Sequence, residues 1–318
     1  MINYNIFAHT SAKVINHGVI NASASEAYLG RGLAGAVFGL TFNGATGYNS
    51  PDGNINVGHS PDGYDVYAAQ GSAGVYATGN TQFENAGTIT LGTKTNGSYG
   101  IYAAYSRPEA ILLIAVKLLL TAMVRRGFLF LRRISVFSVR IIPVGLRNTG
   151  AIEINGINSI GIKALSGAAI ASSGVINVNS ATDLATGLRN YGVWSEGAGS
   201  VVDISGTVNL IGDGAIGAHA RDQGNITVSS EGQIVFGGAN QLGYYVYGPT
   251  ASITNNGTGA QDVSTQDSVL FRVDGGAGFT GGAGAASVLT ASGQDRPRLW
   301  LTGQTAPAGR SRPLTPAA

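Results

Sequence analysis

The chain has no cysteine among its 318 residues. Disulfide staples and thiol nucleophiles are therefore excluded, while either redox compartment is compatible. Charge is also scarce, with Lys, Arg, Asp and Glu together at 11%, whereas glycine occupies 49 positions. That composition argues against a helical domain and for a long, turn-rich β structure able to bury a sizeable core. Clustered positive charge is missing from most of the sequence. Eleven of the nineteen basic residues fall in two stretches, Arg107 to Arg140 and Arg296 to Arg312. Setting these aside with the neighbouring Glu109 and Asp295 leaves eight basic residues against fifteen acidic ones. A mildly acidic surface of this kind does not attract nucleic acid, whose phosphates need grouped Lys and Arg.

The usual marks of chemistry are absent as well. His9, His17, His59 and His219 are scattered, no pair has the spacing of a metal site, and no Gly-x-Ser-x-Gly elbow is present. No metal and no cofactor is expected. Three stretches fit Gly-x-Gly-x-x-Gly, namely Gly30 to Gly35, Gly212 to Gly217 and Gly276 to Gly281. None sits in a strand–turn–helix unit that would aim a helix at a phosphate, so all three are discounted. The paired Ser50-Pro-Asp-Gly53 and Ser60-Pro-Asp-Gly63 look like a ligand motif, but Pro followed by Asp-Gly is what a tight turn needs.

What fills the chain instead is a repeat. One half reads Gly53-Asn-Ile-Asn-Val57, Gly87-Thr-Ile-Thr-Leu91, Gly150-Ala-Ile-Glu-Ile154 and Gly174-Val-Ile-Asn-Val178. It recurs at Gly206-Thr-Val-Asn-Leu210, Gly224-Asn-Ile-Thr-Val228 and Gly232-Gln-Ile-Val-Phe236, in several cases with Asn or Ser two residues before the glycine. The other half reads Gly74-Val-Tyr-Ala77, Gly100-Ile-Tyr-Ala103, Gly161-Ile-Lys-Ala164, Gly192-Val-Trp-Ser195, Gly217-Ala-His-Ala220 and Gly243-Tyr-Tyr-Val246. Period-two alternation makes each half a short strand with one face to a core and one to water. Two strands are therefore expected to alternate. Gly74 to Gly100 and Gly217 to Gly243 are each 26 residues, and Gly150 to Gly174 is 24. A fixed period near 25 without helical signal is that of a β-solenoid, each unit burying its apolar face by stacking on the next. A propeller is less suitable, because its blades run to about 40 to 45 residues with marks that are missing here.

The repeat fails between residues 106 and 147. There glycine nearly vanishes and Leu, Ile and Arg take over, as in Ile111 to Val124, which is only 14 residues long and carries Lys117. Such a run is too short to span a membrane, and no clean helical stripe supports a surface helix. An out-of-frame origin fits better. In the frame two bases further on, allowed codons let Ile111 to Phe130 be re-read with Asn-Ser-Gly-Lys-Ile-Thr-Val followed by Gly-Val-Phe-Val, the two half-motifs at their ordinary spacing. Compensating frameshifts near Ser106 and between Arg140 and Gly145 would produce this. Residues 294–318, with four of the nine prolines, are expected not to form central strands. The division is thus rungs over 1–105, the out-of-pattern segment 106–147, rungs over 148–293, and the tail 294–318.

On these rungs, the missing cysteines and the Gly/Ala/Ser/Thr/Asn bias, the chain resembles the passenger region of Gram-negative autotransporters over about 1–105 and 148–293. The resemblance implies an all-β fold, a right-handed parallel β-helix, with an irregular interruption near 106–145. It implies a rod carried to the cell surface or outer membrane by a C-terminal barrel, with adhesion or virulence as its use. Partners would be a host surface glycan or protein, and the membrane would be reached only through the barrel. Met1 to Thr10 shows no secretory signal and residues 294–318 no barrel strands, so the chain is read as a fragment without its own means of export. A decayed reading frame is a further reading. Outward Tyr76, Tyr102, Trp194 and Tyr245 are the candidate contact stripe, although aromatics at one rung position also stack for stability. No catalysis is expected. The alternative is a β-helical polysaccharide lyase or hydrolase, which would need carboxylates such as Asp183, Glu196, Asp203, Asp213 and Asp222 on a shared face. His219, in the slot that Tyr or Trp fills elsewhere, is read as a surface residue.

Overall fold

A computed structural model of the chain describes residues 3–23, 36–60, 62–104, 145–183, 185–257, 261–263, 265, 267–281, 289–291 and 299–302. The chain winds through short strands. β1 (Asn3–His9), β2 (Lys13–Asn16) and β3 (Val19–Ala22) make the first coil, and β4 (Val37–Asn43), β5 (Thr46–Asn49) and β6 (Asn54–Val57) the second. β7 (Ala73–Thr78), β8 (Gln82–Asn85) and β9 (Thr88–Leu91) follow, then β10 (Tyr99–Ala104), β11 (Leu146–Asn148) and β12 (Ala151–Ile154). The fifth coil is β13 (Ile160–Leu165), β14 (Ala169–Ser172) and β15 (Val175–Val178), and the sixth β16 (Tyr191–Glu196), β17 (Val201–Ile204) and β18 (Thr207–Leu210). β19 (Ile216–Arg221), β20 (Asn225–Val228) and β21 (Gln233–Phe236) form the seventh. The path continues through β22 (Leu242–Tyr247), β23 (Ser252–Asn255), β24 (Gln261–Val263), β25 (Val269–Asp274), β26 (Gly278–Gly281), β27 (Leu289–Ala291) and β28 (Leu299–Thr302).

Every third strand pairs in parallel with the one a coil below. Sheet A runs from β1 to β28 with ten strands, sheet B from β2 to β26 with nine, and sheet C from β3 to β21 with seven, while β24 pairs with β27. The described chain is all-β without a helix, a parallel β-solenoid of the kind the period demands. The two-strand reading needs one correction, since each coil has three strands. Gly224 to Val228 does not belong with the other glycine-led strands of sheet C but leads into β20 of sheet B. The remaining sheet B strands went unread because most lack a leading glycine.

The core is built from columns of like residues. Sheet C contributes Ile55, Ile89, Ile152, Ile176, Val208 and Ile234, all 3% exposed or less. Facing them is the glycine that opens each Gly-Ile/Val-x-small motif. A Cβ on Gly74 would lie 2.6 Å from Ile89 Cγ2, and on Gly100 2.8 Å from Ile152 Cγ2. The glycine is thus the space into which the isoleucine packs. Where one column enlarges, its neighbour shrinks: Phe42 lies over Gly47, and in the next coil Ala77 accompanies Phe83.

The asparagine of Asn-x-Gly turns out to face inward at the end of sheet B. Asn16 donates from Nδ2 to Asn49 Oδ1 at 2.8 Å, Asn49 to Asn85 at 2.7 Å, Asn85 to Asn148 at 2.8 Å, and Asn148 to Ser172 Oγ at 3.2 Å. Asn49, Asn85 and Asn148 are wholly buried. Stacking identical amides lets each satisfy the next, which removes the desolvation cost of burying one alone. Ile204 and Val228 take over the column beyond Ser172 and need no partner.

The hypothesised hidden rung at Ile111 to Phe130, and the membrane reading of Ile111 to Val124, lie outside the described residues. The sheets nevertheless run on past that point. β10 sits between β7 and β13, β11 between β8 and β14, and β12 between β9 and β15. The segment therefore leaves at an A-to-B corner and returns at the same corner one strand later. In the tail, β28 pairs with β25 at the edge of sheet A.

Candidate interaction face

The outward residue of Gly-Ile/Val-x-small falls at one register position on every strand of sheet A. The column runs Phe7, Thr41, Tyr76, Tyr102, Lys163, Trp194, His219, Tyr245 and Arg272, each paired with the next across adjacent strands. All four predicted residues, Tyr76, Tyr102, Trp194 and Tyr245, lie in it. Lys163, His219 and Arg272 belong to the same column: the sequence places His219 in this slot but reads it only as a surface residue, and Lys163 fills the same slot of the motif without being marked as a candidate.

Several neighbouring members touch. The Tyr76 and Tyr102 rings stack at 5.3 Å with an 8° interplanar angle. Lys163 places Nζ 5.0 Å from the Trp194 ring centroid, and Arg272 lies 5.3 Å from that of Tyr245. His219 is held between Trp194 at 4.3 Å, edge to face, and Tyr245 at 4.5 Å, stacked. Stacked rings and cations over ring faces are each favourable by about 0.5–1.5 kcal/mol beyond burial. Tyr99 and Tyr191 flank the ladder, 4.9 Å from Tyr102 and 4.6 Å from Trp194. Ring faces are consumed along the ladder, so the column offers solvent its edges and its charged ends.

His219 is a correction. It is only 4% exposed, because the rings on either side and the packed columns beside it cover an outward slot as fully as a core one. Its Nδ1 lies 3.1 Å from the Tyr245 carbonyl, a geometry that places a proton on Nδ1. Burial holds its pKa down at about 4 against the raising effect of that hydrogen bond, with the Arg221 cation adding to the depression. Burial likewise raises the phenols of Tyr99, Tyr191 and Tyr245. Tyr244, inward at the position of Val193 and Ala218, is fully buried, and burial pushes its phenol well above the ordinary range.

Charges beside the ladder satisfy one another. Glu196 accepts from Trp194 Nε1 at 3.0 Å and lies 3.3 Å from Lys163 Nζ, Arg221 pairs with Asp222 at 2.7 Å, and Arg272 with Asp274 at 2.6 Å. The five carboxylates considered for acid/base work are dispersed. Asp183 closes its own loop through Ala185 N and Thr186 Oγ1, Asp203 is on the outer face of sheet B, and Asp213 accepts from Ala239 N. Only Glu196 and Asp222 come together, and both are spent on Arg221. Among the described residues no group of three or more His, Asp or Glu is arranged to hold a metal ion, and no helix is long and apolar enough to cross a membrane.

Both Ser-Pro-Asp-Gly stretches are turns, with Gly53 N donating to Ser50 O at 2.8 Å and Gly63 N to Ser60 O at 2.9 Å. Gly212 to Gly217 forms the corner into β19, where no helix follows, and Gly276 to Gly281 leads into β26. Gly30 to Gly35 lies outside the described residues. No family model, curated protein or solved structure matches this chain.

Proposed function

We propose that the chain is a non-catalytic rod, akin to the passenger region of a Gram-negative autotransporter, that displays the outer face of sheet A to a surface glycan or protein of a host. The observation that carries this reading is the sheet A ladder. A column of aromatic and cationic residues, continuous from Tyr76 to Arg272 on the outside of a solenoid, supplies a long, rigid strip, with one residue per coil at about 4.8 Å. Rigid aromatic and cationic side chains are those enriched where proteins bind partners, since they lose little entropy on docking. A carbohydrate-processing enzyme would require a proton donor and a base around one bond, and the dispersed carboxylates give no support to it.

Adhesion of the purified chain, coated on beads, to epithelial cells tests the proposal. Binding is expected, and it should fall several-fold in a variant that removes the outer rim, Arg272→Ala with Tyr247→Ser, made together with Asp274→Asn so that no buried carboxylate is left unpaired, and read in a chain that still unfolds cooperatively. Tyr247 is 45% exposed, so its loss leaves the core alone. Beads that fail to adhere, or that adhere equally well with the variant, would sink the reading.

A further inference from the structure

The three kinds of corner differ in length. Described B-to-C connections are tight, and described A-to-B connections short, apart from the one that contains residues 105–144. The C-to-A corner is a short turn at 92–98, 155–159, 211–215 and 237–241; longer connections are 23–36, most of which lies outside the described residues, and the excursions at 58–72 and 179–190. The ends of each excursion pack into the corner, with Ala68, Ser72 and Asn190 wholly buried, while the middle projects from the rod, as the exposure of Tyr64 and Leu188 shows. Insertions on one edge of a repeat array commonly form its binding edge.

The first excursion is a braced finger. Ser60 N donates to Tyr64 O at 2.9 Å, Tyr64 N to Ser60 Oγ at 3.1 Å, and Val66 N to Gly58 O at 2.8 Å. His59 and Asp65 pair antiparallel and join through Nε2 and Oδ1 at 3.1 Å. The Asp65 carboxylate also receives Thr93 N at 3.3 Å and the Thr93 hydroxyl, which ties the finger to the next coil. At its end Tyr64 is 73% exposed and Tyr67 40%. Tying down a loop by this many bonds only to hold a tyrosine in water has no packing rationale. The second excursion is also braced: Asp183 N donates to Leu188 O at 3.1 Å, Gly187 N to Asp183 O at 2.7 Å, and Thr182 N to Asp213 O at 2.8 Å.

Finger and loop stand at the ends of coils two and five, three steps or about 14 Å apart along the rod. Between them the corner is low, made only of the turns 92–98 and 155–159, so the edge carries a notch. Its polar residues are nearly neutral in sum. Asp62, Asp65 and Asp183 stand against Lys94 and Arg189, a sum of −1, with Asp65 and Asp183 also hydrogen-bonded internally, and Thr93, Asn96 and Asn158 bring uncharged groups. A polyanion or polycation finds no complementary field there. Aromatic platforms with uncharged hydrogen-bonding groups suit a ligand that is apolar on its ring faces and rich in hydroxyls at its rim.

We propose that the notch between residues 58–72 and 179–190 is a binding site for a neutral saccharide chain. Tyr64 and Tyr67 stack on sugar rings, and Thr93, Lys94, Asn96 and Asn158 hydrogen-bond from the floor. This rests on reading the chain as a binding rod and assigns that rod a second face, separate from the ladder. The test uses the full chain and uncharged hexasaccharides, a β-1,4-glucan, an α-1,4-glucan and an N-acetylglucosamine oligomer, followed by saturation-transfer NMR and calorimetry. At least one should bind, with affinity unchanged between low and high salt. Tyr64→Ala should weaken it about tenfold, as loss of a well-placed aromatic anchor does, and Tyr64→Phe should retain it. Binding of none of the three at millimolar concentration, or binding indifferent to Tyr64→Ala, overturns the site. If the beads still adhere to cells through the ladder face, that failure belongs to the notch alone. Adhesion that needs Tyr64 but is abolished by protease treatment of the target, with no saccharide binding, would show a protein partner and overturn the saccharide assignment.

Discussion

Gly174 shows how strictly single residues are chosen in this chain. A Cβ there would fall far inside contact distance of the Gly150 carbonyl oxygen, and the same holds for Gly87 above Gly53, Gly150 above Gly87 and Gly206 above Gly174. None of these glycines has positive φ, so close approach of stacked backbones, and not turn geometry, is what requires them. Gly174→Ala is expected to cost about 3 kcal/mol, at the upper end for an overpacked site, read as a lower midpoint in urea. Asn85→Ala should cost a similar amount, about 2–4 kcal/mol. It leaves the Asn49 amide with only its longer bond to the Gly53 carbonyl, at 3.2 Å, and the Asn148 carbonyl without its donor. Ser195 is the converse case. It interrupts a column of Ala164 and Ala220, is fully buried, and its hydroxyl has no hydrogen-bond partner. Ser195→Ala is expected to stabilise by about 1 kcal/mol in the same assay, and a destabilised variant would mean that the hydroxyl is satisfied in solution.

Among the elements, β19 carries the strongly shifted group that titrates in the acid range. His219 is neutral in the fold and has a folded pKa of about 4 against an ordinary 6.5. The unfolded chain therefore binds a proton that the folded chain resists. Stability from this residue is whole above about pH 6.5, falls as pH drops, and is fully lost below about pH 4, a change of about 3 kcal/mol. The groups facing it reinforce the direction, since the Lys163 and Arg221 cations outweigh Asp222 at short range and the Trp194, Tyr191 and Tyr245 rings exclude water. His219→Phe should keep the stack and flatten the stability profile between pH 4 and 6.5. A profile as steep as that of the parent would place the acid sensitivity elsewhere. Sheets B and C carry outward polar ladders of their own, such as Asn209 to Asn177 at 2.7 Å and Asn177 to Glu153 at 2.6 Å.

For the molecule as a whole, ten strands in sheet A make nine steps, a rod of about 43 Å. Because β10 and β11 keep the same neighbours as every other A-to-B pair, residues 105–144 should be replaceable by a turn like Gly79-Asn80-Thr81. The shortened chain is expected to retain its β circular dichroism and unfold within a few degrees of the parent; loss of the cooperative transition would mean the segment supplies part of the core. The repeat made the solenoid legible because period and alternation are local facts. Each Gly-Ile/Val-x-small motif is a strand, each outward slot belongs to one column, and each Ser-Pro-Asp-Gly is a turn. Tyr76, Tyr102, Trp194 and Tyr245 could be aligned by counting alone. Counting did not reveal sheet B as a third strand of each coil, because most of its strands carry no punctuating glycine and those of the first four coils end inward in an asparagine, a residue that reads as polar and exposed until a second asparagine is stacked on it. Nor did it reveal that His219 is buried, because an outward slot is covered only by neighbours 25 to 26 residues away. Nor does any local signal join the Tyr64 finger to the 179–190 loop, which begins 115 residues further along the chain. Sequence determined the period, the strands and the faces, since these depend on neighbours within a few bonds. Which polar groups are satisfied, which rings are covered and which loops share an edge were decided by stacking, where contacts come from the coil above and the coil below.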